Sequence, residues 1–242
     1  MRPAAPAAEG FGRATHKKSG IFYKKEAEIL YKAIIFDLDG TLLDTIGDLS
    51  AAADATLRAL GYPTHTVEEY KRMVGNGVPK LIERFLPPQH RDEETRRRAA
   101  GIFFPYYDAH KEDTTAPYPG IPELLATLQE RGVKLGVVSN KEHTLTQSVI
   151  AHYFPDTFDA VAGHTLGTPA KPDPRLVNGM RAAFGLAPGE VLYAGDSDVD
   201  IETAHNAQLA ACGVLWGFRT EAELRAAGAE FLVHTPEEIG NL

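Results

Sequence analysis

The chain has 242 residues, enough for one substantial core or a core with a smaller insert, and its 43% apolar and 24% charged residues are those of an ordinary folded globular protein. A formal net charge of −8 argues against a nucleic-acid partner, whose binding rests on clustered Lys and Arg, and no apolar run approaches the ~20 residues of a membrane span. A small anionic ligand would therefore need positive charge placed locally, by a metal ion or a lysine.

Residues 1–30 are rich in Pro, Ala, Gly and Lys and lack the continuous apolar core of a secretory signal, so they read as a disordered tail with the ordered chain starting near Tyr31. The first apolar run, "AIIF" (33–36), leads straight into "DLDGT". Residues 48–115 then show helical patterns and no strand pattern: "DLSAAADATLRALG", "TVEEYKRMVG", "VPKLIERFL" and "RDEETRRRAAGIFFPYYDAH". "APYPGIPE" (116–123), with its prolines and glycine, is the expected return hinge. Beyond it, short apolar runs alternate with amphipathic stretches: "KLGVVS" (134–139), "DAVAG" (159–163), "VLYAG" (191–195), "ACGVLW" (211–216) and "EFLV" (230–233), with "IPELLATLQERG", "DPRLVNGMRAAFG" and "DIETAHNAQLA" among them. Strand and helix in repetition predict an α/β fold: a doubly wound, Rossmann-like parallel-sheet core from residues 31–47 and 116–242, with an α-helical cap inserted at 48–115.

Such sheets bind ligands beyond the carboxyl ends of their strands, and polar residues stand at those ends here. Asp37 and Asp39, two apart, project to one side of the first strand's end, where their like charges need compensation. Ser139 and Asn140 follow the second run, Lys171 the third, and Asp196 and Asp200 the fourth. Convergent carboxylates suit a hard divalent cation, with Mg²⁺ favoured beside a phosphate, while a lysine and a hydroxyl suit an anion. The pattern predicts magnesium-assisted phosphoryl transfer on a small phosphorylated metabolite.

These residues also carry a resemblance. Over about residues 31–242 the chain resembles the haloacid dehalogenase superfamily of aspartate-nucleophile phosphotransferases: Asp37, Asp39, Gly40 and Thr41 match its Asp-x-Asp-Gly-Thr motif, Ser139 the second motif, Lys171 the third, and Gly195, Asp196 and Asp200 the fourth. "DLDGTLLDT", "VGNG", "VSNK" and "GHTLGTPAKPDP" are most similar to the phosphoglycolate phosphatase group with a helical cap, although His164 replaces an expected acidic or small residue. The resemblance implies Asp37 as nucleophile and Asp39 as general acid and base. It implies Mg²⁺ held by Asp37, the backbone carbonyl of Asp39 and Asp196, with Asp200 direct or through water. Thr41 would orient the nucleophile, Ser139 and the amide of Asn140 would bind phosphoryl oxygens, and Gly75, Asn76 and Gly77 would form the cap's substrate loop.

Plainer readings stand beside these. Asp196, Asp198 and Asp200 imitate an EF-hand start, but Ile201 stands where Gly is required and Ala207 where Glu is. Ser139 is expected to cap the following helix as well. Asp44 and Asp48 either cap the first cap helix or approach the site. "RRR" (96–98) reads as a solvated face, and the histidines lack zinc spacing. The lone Cys212 can make no internal disulfide, which fits a reducing, cytoplasmic compartment. Three functions are compatible: a phosphatase favouring 2-phosphoglycolate, a phosphomutase of the β-phosphoglucomutase type, and a non-catalytic phosphate-binding protein. Oligomeric state is not legible.

Overall fold

The computed structural model describes Met1 and residues 31–242, so the rest of the expected tail, 2–30, lies outside the described residues. Its strands are β1 (Ala33–Phe36), β2 (Leu43–Asp44), β3 (Ala116–Pro117), β4 (Lys134–Glu142), β5 (Ala160–His164), β6 (Val191–Gly195), β7 (Ala210–Val214) and β8 (Phe231–Val233). Its α-helices are α1 (Ile46–Leu60), α2 (Val67–Met73), α3 (Val78–Phe85), α4 (Glu93–His110), α5 (Ile121–Glu130), α6 (His143–Tyr153), α7 (Arg175–Ala183), α8 (Asp198–Asn206), α9 (Glu221–Ala227) and α10 (Pro236–Ile239).

Six strands form one parallel sheet in the order β5-β4-β1-β6-β7-β8. All four β1 residues are buried, and they alternate between its two faces as a central strand's should. Ile34 and Phe36 join Leu124, Leu128, Val137 and Ile150 on one face, while Ala33 and Ile35 join Val177, Met180, Tyr193 and Ile201 on the other. The chain turns from β1 to β4 on one side and later returns to β6 on the other, so the crevice at β1 is the topological switch point. Register fixes what meets there. Phe36 pairs with Val137 and Ala194, which brings the residues just after all three strands to one edge.

Helices α1 to α4 leave and re-enter the sheet through the antiparallel pair β2–β3, in which Leu43 pairs with Pro117 and Asp44 with Ala116. The expected hinge is thus one half of a two-stranded ribbon. The helices pack a core of their own from Leu49, Leu57, Tyr70, Leu81, Phe85 and Phe103. Local chemistry sets their ends: Gly61 closes α1 in the left-handed region at φ 77°, and Thr66 and Glu69 form a capping box on α2. Pro105 lies within α4 on an exposed position, where the carbonyl it strands can face water.

Asp48 neither caps α1 nor reaches the sheet edge. Its buried carboxylate accepts four hydrogen bonds from the return segment: Thr114 N–H at 2.9 Å and Oγ1 at 2.5 Å, and Thr115 N–H at 2.9 Å and Oγ1 at 2.7 Å. It ties the departing chain to the returning one. Asp44 is exposed and receives the Ile46 N–H at 3.4 Å. Among the described residues, no helix is long and apolar enough to cross a membrane.

Candidate active site

The turn after β1 is tight because Leu38 carbonyl takes the N–H groups of Thr41, Leu42 and Leu43. Gly40 makes it possible, at φ 89°, and a Cβ there would lie 2.5 Å from Asp196 Oδ2. Lys171 is 4% exposed and aims its ammonium at Asp37 Oδ1 (2.7 Å), Asp200 Oδ1 (2.8 Å) and the Tyr193 hydroxyl (3.1 Å). Asp200 is hydrogen-bonded on both oxygens. Its other oxygen accepts from Ser197 N–H at 3.0 Å and Ser197 Oγ at 2.5 Å. Asp196 accepts the Phe218 N–H at 2.8 Å on Oδ2 and the Thr41 hydroxyl at 3.3 Å on Oδ1. The Thr41 hydroxyl therefore meets Asp196 and not Asp37, the carboxylate it was expected to orient.

Electrostatics at this edge leave negative charge uncompensated. Burial pushes the Asp37 carboxyl up to about 7, and Asp200 and Asp39 add to the push while Lys171 opposes it. Burial, then Asp200 and Asp37, also raise Asp196 well above the carboxylate range. Burial works against the charge on Lys171, but Asp200 and Asp37 overcome it and hold it protonated.

Asp37, Asp196 and Asp200 each offer an oxygen within 4.8 Å of the others. An all-oxygen set of buried carboxylates whose mutual repulsion a cation would relieve fits Mg²⁺. The Asp39 carboxylate is not in this group, since it is paired with Lys141 at 2.9 Å; only its backbone carbonyl was expected to serve.

A small cavity of about 40 Å³ adjoins these groups, lined by Asp37, Asp39, Ser139, Asn140 and Lys141 from the sheet edge and by Leu49, Val74, Gly75, Gly77, Val78 and Leu81 from the helical segment. That volume holds a water or two, less room than a phosphoester takes. Asn140 joins the two sides, with its amide donating to Gly75 carbonyl (2.9 Å) and Lys171 carbonyl (3.2 Å) while its Oδ1 takes the Lys171 N–H (2.7 Å). Asn76 does not line this cavity. Its Oδ1 is held by Arg84 at 2.6 Å and it borders a separate outer groove, so of the expected loop only the two glycines meet the site. Ser139 is buried and accepts the Lys141 N–H at 3.1 Å; the cap of α6 is Glu142, because β4 runs on through that residue.

Residues 34–214 match the haloacid dehalogenase-like hydrolase family. The chain belongs to that family. It is 33% identical over 218 residues to a phosphoglycolate phosphatase of Vibrio parahaemolyticus, covering 86% of this chain and 94% of that protein. The crystal structure of a candidate phosphoglycolate phosphatase from Lactobacillus delbrueckii superposes with a TM-score of 0.82 at 33% identity, covering 87% of this chain and 97% of the other. CbbY of Rhodobacter sphaeroides, solved in complex with phosphate, has a TM-score of 0.69 at 25% identity, covering 87% and 96%.

In this haloacid dehalogenase-like hydrolase several residues at the site carried no expectation. Lys141 donates to both Asp39 oxygens, at 2.9 and 3.1 Å, and to the Tyr107 hydroxyl of α4 at 2.9 Å. Burial pulls its charge down, yet Asp39 and then Tyr107 keep its pKa raised. Period-two alternation along β4 places Lys141 on the same side as Ser139, a signal that could have found it. Arg219 holds the end of α2 through Lys71 carbonyl (2.6 Å) and Val74 carbonyl (2.8 Å), and Trp216 Nε1 donates to Thr41 carbonyl (2.9 Å). Gly217 leaves room for Asp196, because a Cβ there would overlap the Asp196 side chain and Gly40 carbonyl.

Proposed function

We propose that this hydrolase is a Mg²⁺-dependent phosphatase that releases phosphate from a small phosphoester, with 2-phosphoglycolate favoured, through an aspartyl-phosphate on Asp37. The observation that carries the reading is Asp37 itself: Lys171 fixes one of its oxygens at 2.7 Å, and the residue lines a small cavity together with Asp39 and Ser139.

Asp37 and Asp196 would hold the metal, with Asp200 direct or through water; when bound it supplies positive charge beside the transferring phosphoryl group. The Asp37 carboxylate attacks phosphorus, the ester bond breaks, and Asp39 gives its proton to the departing alkoxide. Asp39 then takes a proton from the water that cleaves the aspartyl-phosphate, which frees phosphate and regenerates Asp37. Lys171 neutralises charge at the nucleophile, and Ser139 would donate to a phosphoryl oxygen as charge develops there. The helical segment acts as a cap that excludes bulk water during transfer. The relatives named phosphoglycolate phosphatase support the choice of substrate. The single Cys212, buried and free, fits a cytoplasmic site of action.

The test is phosphate release from a panel of phosphoesters, with and without Mg²⁺, by the native protein and Asp37→Asn. Native activity that needs Mg²⁺ and falls by about three orders of magnitude or more in the variant is expected, since an amide cannot form the acyl-phosphate. Activity retained in Asp37→Asn, or turnover of glucose 1-phosphate to glucose 6-phosphate without phosphate release, would refute the reading.

A further inference from the structure

Lys141 is the one cationic side chain among the residues that line this cavity. It is 3% exposed, and all its contacts are internal: both oxygens of Asp39 and the hydroxyl of Tyr107. A buried lysine costs desolvation and side-chain entropy, so its charge needs a use. The phosphoryl chemistry proposed above gives it none, because Lys171 already attends Asp37 and Asp200.

Geometry supplies the use. The ester oxygen must depart toward Asp39, so a group on the neighbouring carbon comes near Asp39, whose Oδ1 is 2.9 Å from the Lys141 ammonium. The rest of that surface is hostile to an anion: Asp37 repels it, and Leu49, Val74, Val78 and Leu81 cannot solvate it. A carboxylate could be held there only against a cation, and a neutral alcohol would need no cation.

We infer that Lys141 is the specificity-determining residue for the leaving group, its ammonium binding a carboxylate carried close to the ester oxygen while the Tyr107 hydroxyl steadies it from the helical side. The substrate class is a phosphorylated small hydroxy acid. This deepens, and rests on, the phosphatase reading of the same site.

The test compares two esters of similar length with saturating Mg²⁺: 2-phosphoglycolate, and 2-hydroxyethyl phosphate, which has a neutral hydroxymethyl group in place of the carboxylate. Native protein is expected to favour the first in kcat/KM. Lys141→Met should lower the ratio of the two kcat/KM values by about 50-fold, chiefly through KM for 2-phosphoglycolate, as expected for loss of a buried charge-assisted hydrogen bond. Lys141→Gln, which keeps hydrogen bonds to Asp39 and Tyr107 without the charge, should lower the same ratio, and it serves should the Met variant fail to fold. Lys141→Arg should restore part of the preference. Equal losses on both esters would overturn the inference, leaving Lys141 as a support for Asp39. Equal use of both esters by native protein would overturn it and the favoured substrate while phosphatase activity through Asp37 stood, and no phosphate release from either would remove both.

Discussion

Asp48→Ala tests whether the strap between the departing and returning chain holds the helical segment to the sheet. The carboxylate accepts four hydrogen bonds, all between 2.5 and 2.9 Å, and is 2% exposed. Thr115 is buried, so its N–H and hydroxyl lose their partner with little access to water, at about 1–1.5 kcal/mol each. Thr114 is exposed, and water can replace much of what its two groups lose, leaving about 0.5 kcal/mol each. The cost is then about 3–4 kcal/mol, which for a chain of this size lowers Tm by about 10 °C. Thermal melts and urea titrations of both proteins measure it. Asp48→Asn, which keeps one acceptor oxygen, should lose about half as much. A cost under about 1 kcal/mol for Asp48→Ala would refute the reasoning, because the segments would then be held by the β2–β3 ribbon and apolar packing alone.

Two further outcomes follow from the charge and the crowding at the sheet edge. In metal-free protein the Asp37 carboxyl titrates near 7, above its unfolded value near 3.8, so the folded chain binds the extra proton and stability is lost as pH rises between those values. Mg²⁺ should therefore raise Tm more at about pH 8 than at about pH 5, and an equal shift at both would refute the linkage. Gly217→Ala would drive a methyl group into Asp196 and Gly40 carbonyl, so activity should fall by about two orders of magnitude or more and half-saturation by Mg²⁺ should move upward. Native Mg²⁺ dependence and turnover in that variant would show that Asp196 tolerates displacement.

The sheet was legible because its strands are buried on both faces, and burial writes itself into continuous apolar runs such as Ala33–Phe36 and Val191–Gly195. The helices between β2 and β3 were legible from periodicity and from local caps such as Thr66 with Glu69. Asp37, Asp39, Lys171, Asp196 and Asp200 could be named because strand ends of a parallel sheet must share an edge, whatever lies between them in the chain. Their partners could not be named. The residue that takes the Thr41 hydroxyl, the four donors around Asp48, the turning of Asn76 toward Arg84, and the pairing of Lys141 with Asp39 and Tyr107 all join residues whose separation along the chain carries no period. Gly217 was equally silent, since its value is the space that Asp196 occupies. Local pattern thus determined which groups reach the edge, through backbone periodicity and burial. Only the packing of the sheet-edge loops and of the helical segment decided which of them face one another, because distance in the fold is set by how these pieces meet and not by spacing along the chain.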